Sequence, residues 1–261
     1  MAKRRVMRPL RRSASLALPV LLLACAPRPV HERALEEVRK GYDYLQRGEL
    51  ERAEVAFQHA LEFNDELPEA LNGAGVVEQR RGRPGPARRW FEAAVKADRD
   101  FAEGHNNLGV VLLEEGDREA ARERFRQALQ VDPDFADARL NLARALVEEG
   151  RAEPSRRAES FAEARRAYLH LLEGHPELYE AHHDLAFLSW HAGDPAGAAE
   201  SYRRAVELRP GSAEALHGLC ISLVRLSRCA EAARACRRCL ELAAGSPRCE
   251  QSLRAALACG G

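Results

Sequence analysis

Apolar and small residues recur along this chain in a fixed order, most plainly over 102–135, AEGHNNLGVVLLEEGDREAARERFRQALQVDPDF. Leu108-Gly109 and Leu112 mark one face of a first helix, and Gly116 a tight turn. Ala121, Phe125 and Ala128 mark one face of a second helix, and Pro133 the stop. Spacings of three, four and seven are those of a helix with a single apolar stripe. Stepped by 34 residues, the same punctuation reappears before and after, so the chain is read as a repeat. The units are 34–67, 68–101, 102–135, 136–178, 179–212 and 213–246, with 247–261 left as a lone capping helix. The fourth unit keeps Leu142, Ala143, Leu146 and Gly150, then slips by nine residues before Ala164, Tyr168 and Leu171. The inserted stretch, 151–159 (RAEPSRRAE), is expected as a solvated loop bringing three arginines to one interhelix edge. Gly48, Gly82, Gly116, Gly150 and Gly193 are assigned to the interhelix turns, with Ser227 standing in the sixth. One helical hairpin is too thin to bury its own apolar face, so stacking must supply the core and the last unit must be capped.

This pattern resembles the tetratricopeptide repeat over about 225 of the 261 residues. The resemblance implies an all-α, right-handed superhelical solenoid whose first helices line a concave groove. By register, the groove positions are Asn72, Val76, Asn106, Val110, Leu113, Leu140, Arg144 and Val147 in the earlier units. In the later units they are His183, Phe187, Trp190, His217, Ile221 and Val224, a more apolar and aromatic set. A contiguous apolar strip of this kind marks a partner site. Some members of the family hold a partner's C-terminal carboxylate in a basic clamp. Here Val38, Tyr42, Gly73 and Glu103 stand at the matching places and Asn107 alone is kept, so no carboxylate clamp is expected.

Charge and the start of the chain change the picture next. Lys+Arg and Asp+Glu balance at 40 each, but the first 24 residues hold six basic residues and no acid. The remainder is mildly acidic, which argues against nucleic acid as a partner. An apolar run from Ala14 to Ala24 follows the basic start and is too short to span a bilayer, so 1–24 reads as a signal segment. Leu22-Leu23-Ala24-Cys25 resembles the lipobox of bacterial lipoproteins. That resemblance implies cleavage before Cys25, lipidation of Cys25, a tether over 25–33, and residence at the outer membrane facing the periplasm.

The six remaining cysteines, Cys220, Cys229, Cys236, Cys239, Cys249 and Cys259, all fall in the last 42 residues. An even number in an exported chain argues for disulfides. Helices folding back near Ala244 and near Arg228 favour Cys220–Cys236, Cys229–Cys259 and Cys239–Cys249. The way the family packs its signature positions offers Cys220–Cys239 with Cys236–Cys249 instead. Cys236-Arg-Arg-Cys239 lies mid-helix without the context of a redox or haem site, and His170, His175, His182, His183 and His191 read as surface and groove histidines. No phosphate loop or hydrolase motif is present, so no metal, cofactor, small-molecule substrate or catalytic residue is expected. The chain is similar to pilotins of type IV pilus secretins and to repeat-bearing lipoproteins of gliding-motility complexes. The implied role is a membrane-anchored scaffold for envelope proteins; a scaffold for cell-wall or outer-membrane biogenesis is the alternative.

Overall fold

A computed structural model of the protein describes residues 30–259, so the signal segment and Cys25 lie outside the described residues. Described residues form thirteen helices in antiparallel pairs. In chain order they are α1 (Val30–Gln46), α2 (Leu50–Phe63), α3 (Pro68–Arg80), α4 (Pro84–Ala97), α5 (Ala102–Glu114), α6 (Arg118–Val131) and α7 (Ala136–Ala152). They continue with α8 (Arg157–Gly174), α9 (Tyr179–His191), α10 (Pro195–Leu208), α11 (Ala213–Arg225), α12 (Cys229–Leu242) and α13 (Pro247–Ala258). Each helix packs on the next, and the first helices also touch one another: α1 on α3, α3 on α5, α5 on α7 and α9 on α11. Second helices of neighbouring units stand farther apart, Arg126 of α6 reaching Glu163 of α8 only through its side chain at 2.7 Å, so the stack curves with the first helices inside.

Small residues explain how closely the pairs approach. A Cβ at Gly109 would lie 2.6 Å from the Phe125 ring, and Gly41 and Gly75 are filled the same way by Phe57 and Phe91. These phenylalanines, with Tyr168 at the matching place in the fourth unit, are wholly buried and form the spine of the core. Gly48, Gly82, Gly116 and Gly193 take the interhelix turns with φ of 71–88°, where an L side chain is strained. Ser227 adopts φ 56° in the sixth turn, as the register predicts.

The fourth unit differs from expectation. Gly150 is not at a turn; it lies inside α7, where a Cβ would meet the Phe161 ring at 2.5 Å. The insert is not a loop either. α7 has 17 residues against 13 in α5, and α8 has 18 against 14 in α6. Only one extra residue falls in the turn, which spans 153–156 against 115–117 in the third unit. The three arginines turn back onto the protein. Arg151 lies over the Phe187 ring at 4.2 Å, Arg156 donates to Glu149 at 2.9 Å, and Arg157 donates to the Gly150 carbonyl at 3.0 Å.

α13 closes the stack by packing on α11 and α12. The bridges are Cys220–Cys236, Cys229–Cys259 and Cys239–Cys249, with Cα–Cα distances of 5.5, 5.5 and 6.0 Å. That is the pairing the fold-back geometry favours, not the one offered by the family's packing. Among the described residues no helix is long and apolar enough to cross a membrane.

Candidate functional site

The concave face is built by α1, α3, α5, α7, α9 and α11, and its two halves differ in chemistry. Its first half carries a chain of side-chain hydrogen bonds. Asn72 Nδ2 donates to the Tyr42 hydroxyl at 3.0 Å, and Asn107 Nδ2 donates to Asn72 Oδ1 at 2.9 Å. Asn106 Nδ2 donates to Asn107 Oδ1 at 3.3 Å, and Asn141 Nδ2 donates to Asn106 Oδ1 at 3.0 Å. The ladder crosses α1, α3, α5 and α7 and satisfies amides that burial would otherwise leave costly, since Asn72 is only 3% exposed. Burial pushes the Tyr42 hydroxyl up from the usual tyrosine range, and the nearby Glu103 and Glu69 add to it against the Asn72 hydrogen bond. Two positions that depart from the clamp pattern, Tyr42 and Glu103, and the one that keeps it, Asn107, thus share an acidic, amide-lined region.

Every residue expected along the groove's apolar strip is half-buried: Val110, Leu113, His183, Phe187, Trp190, His217, Ile221 and Val224. Asn72, Asn106 and Val147 are buried, and Arg144 is exposed. The two aromatics one turn apart on α9 do different things. Phe187 is enclosed by the Arg151 guanidinium, by His191 at 4.3 Å and by the edge of Phe161 at 6.0 Å. Trp190 packs on the C-terminal core. His217 Nε2 lies 3.1 Å from the Ser252 hydroxyl of the cap, and burial, with Arg248 nearby, lowers its pKa. The exposed large apolar side chains are Val55, Phe63, Trp90, Val131, Leu169, Leu242 and Leu257, all on second helices or on α13.

The close approach of first helices lapses between α7 and α9, where the lengthened hairpin stands and Arg151 bridges to the Phe187 ring. A cleft of 660 Å³ opens there, lined by Arg144 and Glu148 of α7, Tyr179, Glu180, His183 and Asp184 of α9, and Arg209, Ser212, Ala213 and Glu214 toward α11. Tyr179 and His183 stack at 5.8 Å, and the Arg209 guanidinium lies over the Tyr179 ring at 3.8 Å. Asp184 accepts from the buried Tyr168 hydroxyl at 2.8 Å and faces His183 Nδ1 at 3.1 Å. Burial, followed by the Asp184 carboxylate, pushes Tyr168 far above the usual tyrosine range, and the same two causes push Tyr202 up to about 12. Asn141, Tyr179, Asp184 and Glu214 escape the sequence reading. For Glu214 a signal existed: Glu69, Glu103, Asp137, Glu180 and Glu214 recur at the repeat step, corrected for the insert.

The tetratricopeptide-repeat profile matches residues 112–158 in one form and 38–103, 155–213 and 183–248 in another. Among curated proteins, cellulose synthase operon protein C of Komagataeibacter xylinus is 43% identical over 51 residues. That match covers 20% of this chain and only 4% of that protein. Among solved structures, PilF of Pseudomonas aeruginosa is similar with a TM-score of 0.73 at 22% identity, over 85% of this chain and 97% of PilF. PilW, described as a widely conserved type IV pilus biogenesis factor, gives 0.67 at 18% identity, over 84% of this chain and 98% of PilW. YrrB, described as having an unusual peptide-binding site, gives 0.56 at 23% identity, over 71% and 91%.

Proposed function

The chain belongs to the tetratricopeptide-repeat family, and on that premise we propose that it is a lipid-anchored scaffold of the bacterial cell envelope. It takes a partner segment in its concave groove and assists assembly of a pilus, secretin or motility complex. One observation carries the reading: the solenoid is similar in fold to nearly the full length of PilF and of PilW, the latter described as a type IV pilus biogenesis factor. The signal-like start and Cys25 supply the anchor in this reading, facing the periplasm at the outer membrane. Six further cysteines in three bridges fit an oxidising compartment. The mechanism is recruitment, with the lipid fixing location and the groove supplying specificity.

The experiment is crosslinking pull-down of the membrane-bound protein. Ile221→Glu, on the groove strip, is expected to lose the envelope protein that the native chain recovers, and Trp90→Ala, on a second helix, to keep it. Equal recovery with both variants would remove the groove from the mechanism. Cys25→Ser is expected to leave the membrane fraction and to take up no labelled palmitate.

A further inference from the structure

We infer that the α7–α9 cleft is a socket for a cationic side chain, so that the segment held in the groove is extended and basic at that point. The inference rests on the groove reading above and adds the chemistry of its occupant. Three observations converge. First, the cleft is a gap in the stack: elsewhere neighbouring first helices approach closely, whereas α7 and α9 stand apart, bridged by Arg151 on the Phe187 ring, and leave a cleft of 660 Å³. Second, its lining carries four carboxylates, Glu148, Glu180, Asp184 and Glu214, against two guanidinia, Arg144 and Arg209. Arg209 is engaged by Glu180 at 2.9 Å and lies on the Tyr179 ring, and Glu148 accepts from Arg151 at 2.8 Å on the exposed rim. Among the described residues Asp184 and Glu214 carry no such guanidinium, and Arg144 stands exposed on the opposite wall. Third, the wall is aromatic: the Tyr179–His183 stack already accommodates one guanidinium on its face. An aromatic face beside carboxylates is the surface on which an arginine or lysine stem packs while its charge meets the acids.

The floor adds to the field. Asp184 is half-buried, and the buried Tyr168 hydroxyl donates to it, which fixes a carboxylate at the bottom of the cleft. The acids at Glu69, Glu103 and Asp137 extend the same negative edge along the first helices, so a basic segment meets like chemistry on its way to the socket. Arg144 has the opposite role. Its charge competes with an incoming cation, which gives the proposal a sign that can be tested.

The test uses fluorescein-labelled, photocrosslinkable peptides of repeated Gly-Ser-Arg, Gly-Ser-Glu and Gly-Ser-Leu triplets against the oxidised full chain. The arginine peptide is expected to bind, with affinity falling as salt rises. Glu148→Gln with Glu214→Gln, both on exposed residues, is expected to weaken it about tenfold, each rim charge being worth a few-fold. Arg144→Gln is expected to strengthen it severalfold. Tighter binding of the glutamate peptide, with loss of that binding in Arg144→Gln, would overturn the proposal and make the cleft an anion site. Preference for the leucine peptide would overturn it too. Crosslinks to α3 or α5 alone would leave the groove reading standing and sink the socket; crosslinks confined to second helices would sink both.

Discussion

Ser227 performs at the sixth interhelix turn what glycine performs at 48, 82, 116 and 193, with a φ of 56°. The turn is closed by the Ser227 amide donating to the Val224 carbonyl at 3.0 Å and the Arg228 amide to the Leu223 carbonyl at 2.9 Å. A side chain in this left-handed region costs about 1–2 kcal/mol, part of which glycine gives back through its freer unfolded chain. Ser227→Gly is therefore expected to stabilise the protein by about 0.5–1 kcal/mol, read as a raised urea midpoint; a lowered midpoint would refute the strain. The register made this substitution legible, yet the same register misplaced Gly150. What distinguishes the two is Phe161, two residues beyond the insert, whose ring fills the room beside Gly150. Another regularity was hidden by its varied chemistry. His105, Arg139 and His182 share one repeat position, and each donates to the carbonyl six residues earlier, at Arg99, Pro133 and Pro176. An imidazole and a guanidinium clip the same loop, so no residue identity recurs for a sequence reading to find.

At the scale of elements, the α7–α8 hairpin shows what the sequence carries and what it leaves to packing. The nine extra residues are plain in the register, but their state is decided by Glu149, a buried acid at the base of the lengthened turn. It accepts from Arg122 at 2.6 Å, from Arg156 at 2.9 Å and from the Ser160 hydroxyl at 2.9 Å, tying α6, α7 and α8 together. Arg156 and Ser160 come from the insert and its far edge, so the insert winds into helix because its own polar groups complete this network. Burial pushes the Glu149 carboxyl up, and the three donors outweigh it, leaving the pKa below the ordinary glutamate value. With the folded pKa depressed, the contribution is complete above the unfolded value of about 4.3 and is lost as pH falls through the folded one. Glu149→Gln keeps the shape and removes the charge, and it is expected to cost about 1–3 kcal/mol at neutral pH. It should also flatten the acid limb of a urea-midpoint profile below about pH 4.3. An unchanged acid limb would mean the network is solvated and does not set the hairpin.

For the whole molecule, stability is carried by neighbours, so a weak joint divides it. The buried apolar side chains fall into three clusters: Ala34 to Val77, Ala87 to Leu188, and Ala186 to Ala256. The last is reinforced by bridges closing separations of 16, 30 and 10 residues, and it begins at α9, beyond the point where first helices stand apart. Closing a loop of fifteen residues is worth about 3 kcal/mol by chain entropy, so the C-terminal part holds an advantage that the repeats before it lack. The two tryptophans report on either side of the joint, Trp90 on α4 and Trp190 packed in the C-terminal cluster. In Trp90→Phe and Trp190→Phe variants, which leave one reporter each, urea is expected to release Trp90 at a clearly lower concentration than Trp190. Reduction of the bridges should bring the Trp190 transition down to that of Trp90 or below. Coincident transitions in the oxidised protein would show one cooperative unit. The α7–α9 cleft would then be a groove cut into a continuous stack, and the bridges would serve the cap alone.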